Sequence, residues 1–165
     1  MRLIILGAGG YGRTISDIAE QYGRYETIRM LDDAGEEKCA EYVRYMDGQT
    51  EFYPAFGNNE ARLSWLDQLM DAGCSLATLV HPTAYVSPKA KLHPGTAVLP
   101  HAVVNTGCEI MSGCIINCGA IVDHECIIEA GVHICLGAIV KAENRIPHCM
   151  KIEAGEVVEN RTYPL

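Results

Sequence analysis

His124 stands between two carboxylates in the run Val122-Asp123-His124-Glu125-Cys126. A carboxylate beside an imidazole orients the ring, fixes its tautomer and raises its basicity, as a general base near neutral pH requires. The other histidines, His81, His93, His101, His133 and His148, lack that company and are readily explained as polar residues on an exposed surface. A second constellation lies near the start of the chain. Gly7-Ala8-Gly9-Gly10-Tyr11-Gly12 is G-x-G-x-x-G, preceded by the apolar run Arg2 to Leu6 and followed by a helical pattern from Arg13 to Gln21 that Gly23 ends. Glycines there permit a tight turn whose backbone N–H groups, with the helix N-terminus, face a phosphate. Asp32 and Asp33 close a second apolar run, Thr27 to Leu31, at the distance where an acid accepts ribose hydroxyls. Strand, glycine loop, helix and acid together predict nucleotide binding, and nothing among these residues identifies the nucleotide.

The element that must position His124 is a repeat. From Val80 to Val158 every sixth residue is Leu, Ile or Val, through Val86, Leu92, Val98, Val104, Ile110, Ile116, Val122, Ile128, Ile134, Val140, Ile146 and Ile152. An unbroken phase of this length requires a repeating structure. Four places after each aliphatic residue comes a small or slim one: Ala84, Ala90, Thr96, Ala102, Cys108, Cys114, Ala120, Cys126, Val132 and Ala138. Glycine recurs one place earlier, at Gly95, Gly107, Gly113, Gly119, Gly131 and Gly137, where a tight corner excludes a Cβ. Each hexad is thus a short strand plus a corner, and three hexads close one triangular coil. Residues one coil apart should stack at about 4.8 Å, the spacing of paired strands. The pattern predicts a parallel β-helix of hexapeptide repeats; known folds of this class are left-handed, which implies that hand here. His124 then occupies an outward-pointing corner. Asn144, Met150, Glu156 and Thr162 break the small-residue pattern, so the last coil is expected to be loose or to act as a cap.

Before the repeat, residues 36–46 suggest a short helix, Glu51 to Phe56 a third strand, and Glu60 to Asp71 a helix capped by an Asn of Gly57-Asn58-Asn59-Glu60. Ser75 to Leu79 reads as a last strand. The expected organisation is a Rossmann-like, doubly wound α/β domain over 1–79 and a β-helix over 80–165.

Composition narrows the function classes. A formal net charge of −8 argues against nonspecific nucleic-acid binding and against docking on anionic lipid. Leu3 to Leu6 is too short for a signal-peptide core and no apolar run approaches spanning length, so a cytoplasmic, soluble protein is expected. Of the eight cysteines, Cys108, Cys114 and Cys126 fill the small inward slot as compact hydrophobes. Cys108 and Cys126 stack one coil apart, which permits a disulfide that a cytosolic protein is not expected to form. There is no CxxC pair, and His124 and His133 lie half a coil apart on different faces, so no metal is expected.

The glycine loop, Asp32-Asp33, Gly57-Asn58-Asn59-Glu60, His81-Pro82-Thr83-Ala84 and above all the run Ile116 to Cys126 resemble the bacterial sugar acyltransferases of the PglD and NeuD type. The resemblance runs over nearly the whole chain. It implies a homotrimer with acetyl-CoA in the groove between neighbouring β-helices and a nucleotide-linked aminosugar, UDP being the expected carrier, on the N-terminal domain. In that family's terms His124 is the catalytic base, Glu125 its supporting acid and Asn117 an asparagine of the same active site. His133 lies near the thioester or pantetheine, with Lys141 and Ala142 also on the cofactor. Gly7, Gly9, Gly10, Tyr11 and Gly12 surround the diphosphate, Asp32 and Asp33 meet the nucleoside, and Gly57 and Asn58 complete the substrate site. Two departures stand out. Tyr11 occupies a place where the family often has histidine. Family members also continue for one or two coils beyond the place matched by Leu165, which implies a shortened CoA groove, with Lys141, Arg145 and Lys151 available to CoA phosphates. The implied activity is acetyl-CoA-dependent acetylation of an aminosugar in bacterial glycan synthesis. Alternatives are a sialic-acid-type O-acetyltransferase and a non-catalytic trimeric sugar-nucleotide binder.

Overall fold

The computed structural model describes residues 1–165, which divide into one compact unit over Met1–Ala77 and another over Thr78–Leu165. In the first, strands β1 (Arg2–Leu6), β2 (Thr27–Leu31), β3 (Thr50–Pro54) and β4 (Ser75–Leu76) form one parallel sheet in the order β2-β1-β3-β4. β1 is central, and Leu3, Ile4, Ile5 and Leu6 are wholly buried, which is why its sequence is an uninterrupted apolar run rather than an alternating one. The order reverses direction at β1, so the loop leaving its C-terminal end lies at the switch point where α/β sheets bind ligands.

Helix α1 (Gly10–Tyr22) begins inside the glycine loop and stops at Gly23, whose φ of 66° ends the helix in the left-handed conformation. Helix α2 (Asn59–Asp71) is capped by Asn58, whose side-chain oxygen accepts the Ala61 N–H at 2.8 Å. The short helix expected over 36–46 is a 3₁₀ helix, Cys39–Tyr45. Its start is held by the Glu41 carboxylate, which accepts the Lys38 N–H at 2.8 Å.

The second unit is the left-handed β-helix. Its two-residue strands fall into three parallel ladders, each pairing residue i with i+18, as Ile115 with His133 and Ile121 with Ile139. The first face contains Leu79–Val80, Ala97–Val98, Ile115–Ile116, His133–Ile134 and Lys151–Ile152. The second contains Tyr85–Val86, Val103–Val104, Ile121–Val122, Ile139–Val140 and Val157–Val158, and the third Lys91–Leu92, Glu109–Ile110, Ile127–Ile128 and Arg145–Ile146. The second residue of each pair points inward; from Val98 to Ile146 these side chains are wholly buried beside the small residues Ala102, Cys108, Cys114, Ala120, Cys126 and Ala138.

One expectation changes, and the alternative left open for the last coil, loose or a cap, is decided. The single strand over Ser75 to Leu79 is two strands: Ala77 N–H bonds Phe52 O in the first sheet, whereas Leu79 N–H bonds Thr96 O in the β-helix. Pairing partners change between them, so one strand cannot run through. The last coil is also not loose. Regular pairing continues to Val157–Val158, and the non-small Asn144 is wholly buried with its amide satisfied. Its Nδ2 donates to Lys141 O at 2.8 Å and Glu159 O at 2.9 Å, while its Oδ1 accepts the Tyr163 N–H at 2.9 Å. An amide in the small slot therefore ties the terminal segment down, and Met150 and Tyr163 pack against the core as a cap.

Ile134 is stacked between Ile116 and Ile152 in the centre of this core. Ile134→Ala should lower stability by about 2–5 kcal/mol, read as a lower urea midpoint at an unchanged slope. A cost below about 1 kcal/mol would contradict the stacked packing.

Candidate functional site

The four loop glycines divide by what a side chain would meet. Gly7 has φ of 103°, and a Cβ there would come within 3.0 Å of Ala55 O. A Cβ on Gly12 would overlap the Gly7 carbonyl, so the loop and α1 approach too closely for alanine. Gly9 and Gly10 face open space. Gly9 is the N-cap of α1 and supplies no side-chain cap, so the first helical turn presents its N–H groups beside that space.

Asp32 braces this loop. One carboxylate oxygen accepts the Ala8 N–H at 2.7 Å and the other the Ala34 N–H at 2.9 Å. These bonds, the one from Ala8 first, hold its pKa below the usual carboxylate value. Asp33 accepts the Cys39 N–H at 2.9 Å and so fixes the start of the 3₁₀ helix. Ala8 and Asp32 line a cavity of about 550 Å³ with Arg29, Met30, Gly35, Glu36 and Glu37, within the size range of small-ligand sites. Arg29 is held at its wall by donating to Tyr45 Oη at 2.8 Å, and Tyr45 in turn donates to Glu37 at 2.6 Å.

Other expected contacts are already engaged within the chain. Tyr11 Oη and Tyr53 Oη are 2.7 Å apart, and burial together with this partner raises the Tyr11 pKa well above its usual value. Asn58 is the α2 cap described above. Gly57 has no close neighbour and lies open.

In the β-helix, His124 is exposed at the corner between the second and third faces. Its backbone N–H donates to Asp123 Oδ1 at 2.8 Å, and that carboxylate also accepts Asn105 Nδ2 at 3.2 Å, so the corner is rigid while the ring has no hydrogen bond in the chain. Glu125 follows in the left-handed conformation, φ 57°, which costs a residue other than glycine about 1–2 kcal/mol. Its carboxylate occupies the place where a Cβ on Gly107, one coil earlier, would sit. It makes no ion pair in the chain and remains available. Asn117 lies one corner away, between the first and second faces, and pairs with His133: its Nδ2 is 2.9 Å from His133 Nε2, and its Oδ1 accepts the Cys118 N–H at 2.8 Å. With the amide as donor, Nε2 of His133 accepts and the ring is neutral. Within one chain, therefore, the four residues form two pairs separated by the second face, a span of up to ~20 Å for six extended residues.

The cations considered for CoA phosphates each meet a carboxylate. Lys141 is 2.6 Å from Glu159, Arg145 2.6 Å from Glu129 and Lys151 3.1 Å from Glu153. Ala142 is buried, in register with His124 one coil on. No three His, Cys, Asp or Glu side chains converge as a metal-ligand set, and no helix is long and apolar enough to cross a membrane.

This architecture has known counterparts. The family model described as the PglD N-terminal domain matches residues 2–69. The acetyltransferase domain of PglB from Neisseria gonorrhoeae is 31% identical with a TM-score of 0.94, the match covering 97% of this chain and 83% of that one. The chain belongs to the PglD/NeuD-type family of hexapeptide sugar acyltransferases. The same PglB domain in complex with acetyl coenzyme A matches at 31% identity with a TM-score of 0.92, over 97% of this chain and 82% of that one. A mutant of perosamine N-acetyltransferase from Caulobacter crescentus, in complex with CoA and GDP-perosamine, shares the fold at 22% identity and a TM-score of 0.80, over 97% of this chain and 89% of that one.

For this acyltransferase, two residues near the site were not visible as such in the sequence. Glu143 and Arg161 form an ion pair at the corner column that begins with Gly107 and Glu125. The signal that finds them is arithmetic: steps of 18 from Gly107 reach Glu125, Glu143 and Arg161 in turn.

The depressed pKa of Asp32 makes the first unit sensitive to acid. A carboxylate whose pKa is lower when folded contributes stability above its unfolded value, about 3.9, and loses it as pH falls through the lower folded value. Asp32→Asn, which replaces one of the two acceptor oxygens by a donor, should lower the thermal midpoint at pH 7, and the gap to wild type should narrow below about pH 3.9. A gap that widens in acid would contradict this role.

Proposed function

We propose that the protein is an acetyl-CoA-dependent N-acetyltransferase acting on a nucleotide-linked aminosugar, with UDP as the carrier and His124 as general base. The observation that carries this reading is the division of the polar residues into two half-sites, His124 with Glu125 at one edge of the second face and Asn117 with His133 at the other. The face between them bears an outward ladder of Tyr85, Val103, Ile121, Ile139 and Val157, of which Tyr85, Ile121 and Val157 are 54%, 37% and 47% exposed. The third face instead points Lys91, Glu109 and Arg145 outward along with Ile127. An apolar stripe of this kind favours burial against another copy. A cyclic homotrimer would set His124 of one copy opposite Asn117 and His133 of the next, with acetyl-CoA in the groove between them.

The chemistry is a direct transfer. His124 takes a proton as the neutral sugar amine attacks the thioester carbonyl; the new N–C bond forms, the C–S bond breaks and the proton passes to the departing CoA sulfur. A backbone N–H of an adjacent coil stabilises the oxyanion. Glu125 supports the imidazolium, and the neutral ring of His133, held by Asn117, lines the acyl end. The open space at Gly9 and Gly10 and the first turn of α1 suit a diphosphate, and the cavity beside Asp32 suits the nucleoside.

Purified protein supplied with acetyl-CoA and a panel of UDP- and GDP-linked aminosugars should release CoA thiol and yield an N-acetylated UDP sugar. His124→Ala should lower kcat/KM by about 10²–10⁴-fold. Transfer undiminished in that variant would contradict the mechanism. Preference for a GDP sugar would contradict the carrier, a product acetylated on oxygen the acceptor, and sugar-nucleotide binding without transfer would favour a non-catalytic binder.

A further inference from the structure

The corner that carries His124 departs from the rest of the solenoid in a way the repeat does not require. Corners elsewhere adopt the left-handed conformation mostly with glycine, as at Gly95, Gly113, Gly119, Gly131, Gly137 and Gly155. In the column one place after His124 glycine occurs at Gly107; the next three coils place Glu125, Glu143 and Arg161 there, with φ of 57°, 58° and 55°. Three successive charged residues held where glycine is at ease point to a retained local function.

Their contacts lead to His124. The Glu143 N–H donates to His124 O at 3.2 Å, so Glu143 sits directly on the His124 coil. The residue in register above His124 is Ala142, whose side chain is a single methyl group. The Glu143 carboxylate in turn accepts from Arg161 Nε. Glu143 has a depressed pKa, chiefly through Arg161, with the charge of His124 contributing in the same direction. The other charged groups facing this corner are Asp123 and Glu125 from the same coil and Lys141 from the next. Asp123 is bound to Asn105 and to the His124 N–H, and Lys141 is bound to Glu159.

We propose that Glu143, clamped by Arg161, is a second positioning carboxylate for His124: it stabilises the protonated ring from the coil above while Glu125 acts from the same coil, and Arg161 limits how strongly Glu143 does so. The inference rests on His124 being the base. Arg161 is the counterweight in this arrangement, since without it the full charge of Glu143 faces the ring.

The test is the NMR titration of the His124 ring in the full-length protein, alongside the pH profile of kcat/KM. Glu143→Gln should move the ring's titration midpoint and the acid limb of the profile to lower pH, and Arg161→Gln should move both to higher pH. Glu143→Asp, which keeps the charge, should stay on the wild-type side of Glu143→Gln. A merely structural role would change the amplitude of activity without these opposed shifts. Identical ring titrations in wild type and Glu143→Gln, or shifts of the same sign in Glu143→Gln and Arg161→Gln, would overturn the proposal. The ring titration needs no substrate, so opposed ring shifts in a protein that transfers no acetyl group would support the charge coupling and count against the proposed reaction alone.

Discussion

Parallel pairing of residue i with residue i+18 governs the second half of this molecule. Once Ile115 pairs with His133 and Ile121 with Ile139, every side chain is assigned to a column, and each column is a local environment of its own. Inward columns must be aliphatic or small because an unpaired polar atom there would lose water without replacement. Asn144 is admitted to such a column because its amide finds three backbone partners. Corner columns must tolerate the left-handed conformation. That conformation is taken by charged residues in three successive coils beside His124, at Glu125, Glu143 and Arg161.

The first unit obeys a different constraint, the close passage of the glycine loop over the start of α1. A side chain on Gly7 would meet Ala55 and one on Gly12 the Gly7 carbonyl, and Asp32 closes the arrangement by bonding Ala8 on one side and Ala34 on the other. The loop is thereby held open at Gly9 and Gly10, where nothing approaches. For the proposed diphosphate site this means preorganisation, since backbone donors fixed in advance lose no freedom when an anion arrives.

Period and loop chemistry made much of this legible in the sequence. The six-residue phase fixes which residues of the solenoid face inward, because strand direction and corner geometry repeat without insertion from Val80 to Val158. The glycine loop, the stop at Gly23 and the Asn58 cap follow from the few conformations those residues favour. What escaped depends on contacts between distant residues. Asp32 and Asp33 look like free acids in sequence, yet both hold backbone N–H groups of the chain. Tyr11 looks like a ligand contact and is paired with Tyr53 across 42 positions. Glu143 and Arg161 have no motif, and only stacking in register with Glu125 brings them beside His124.

The separation of His124 from Asn117 and His133 by a whole face is the fact on which the functional account turns. The proposed reaction therefore needs one active site shared between neighbouring copies. The most direct measurement is activity after mixing two inactive variants, His124→Ala and the double variant Asn117→Ala/His133→Ala, and letting their subunits exchange. In a cyclic trimer with sites between copies, equal mixing rebuilds about a quarter of the sites with both halves intact, and activity should return to that level. No recovery, with mixed trimers verified by mass, would contradict a shared site and place the chemistry within a single chain.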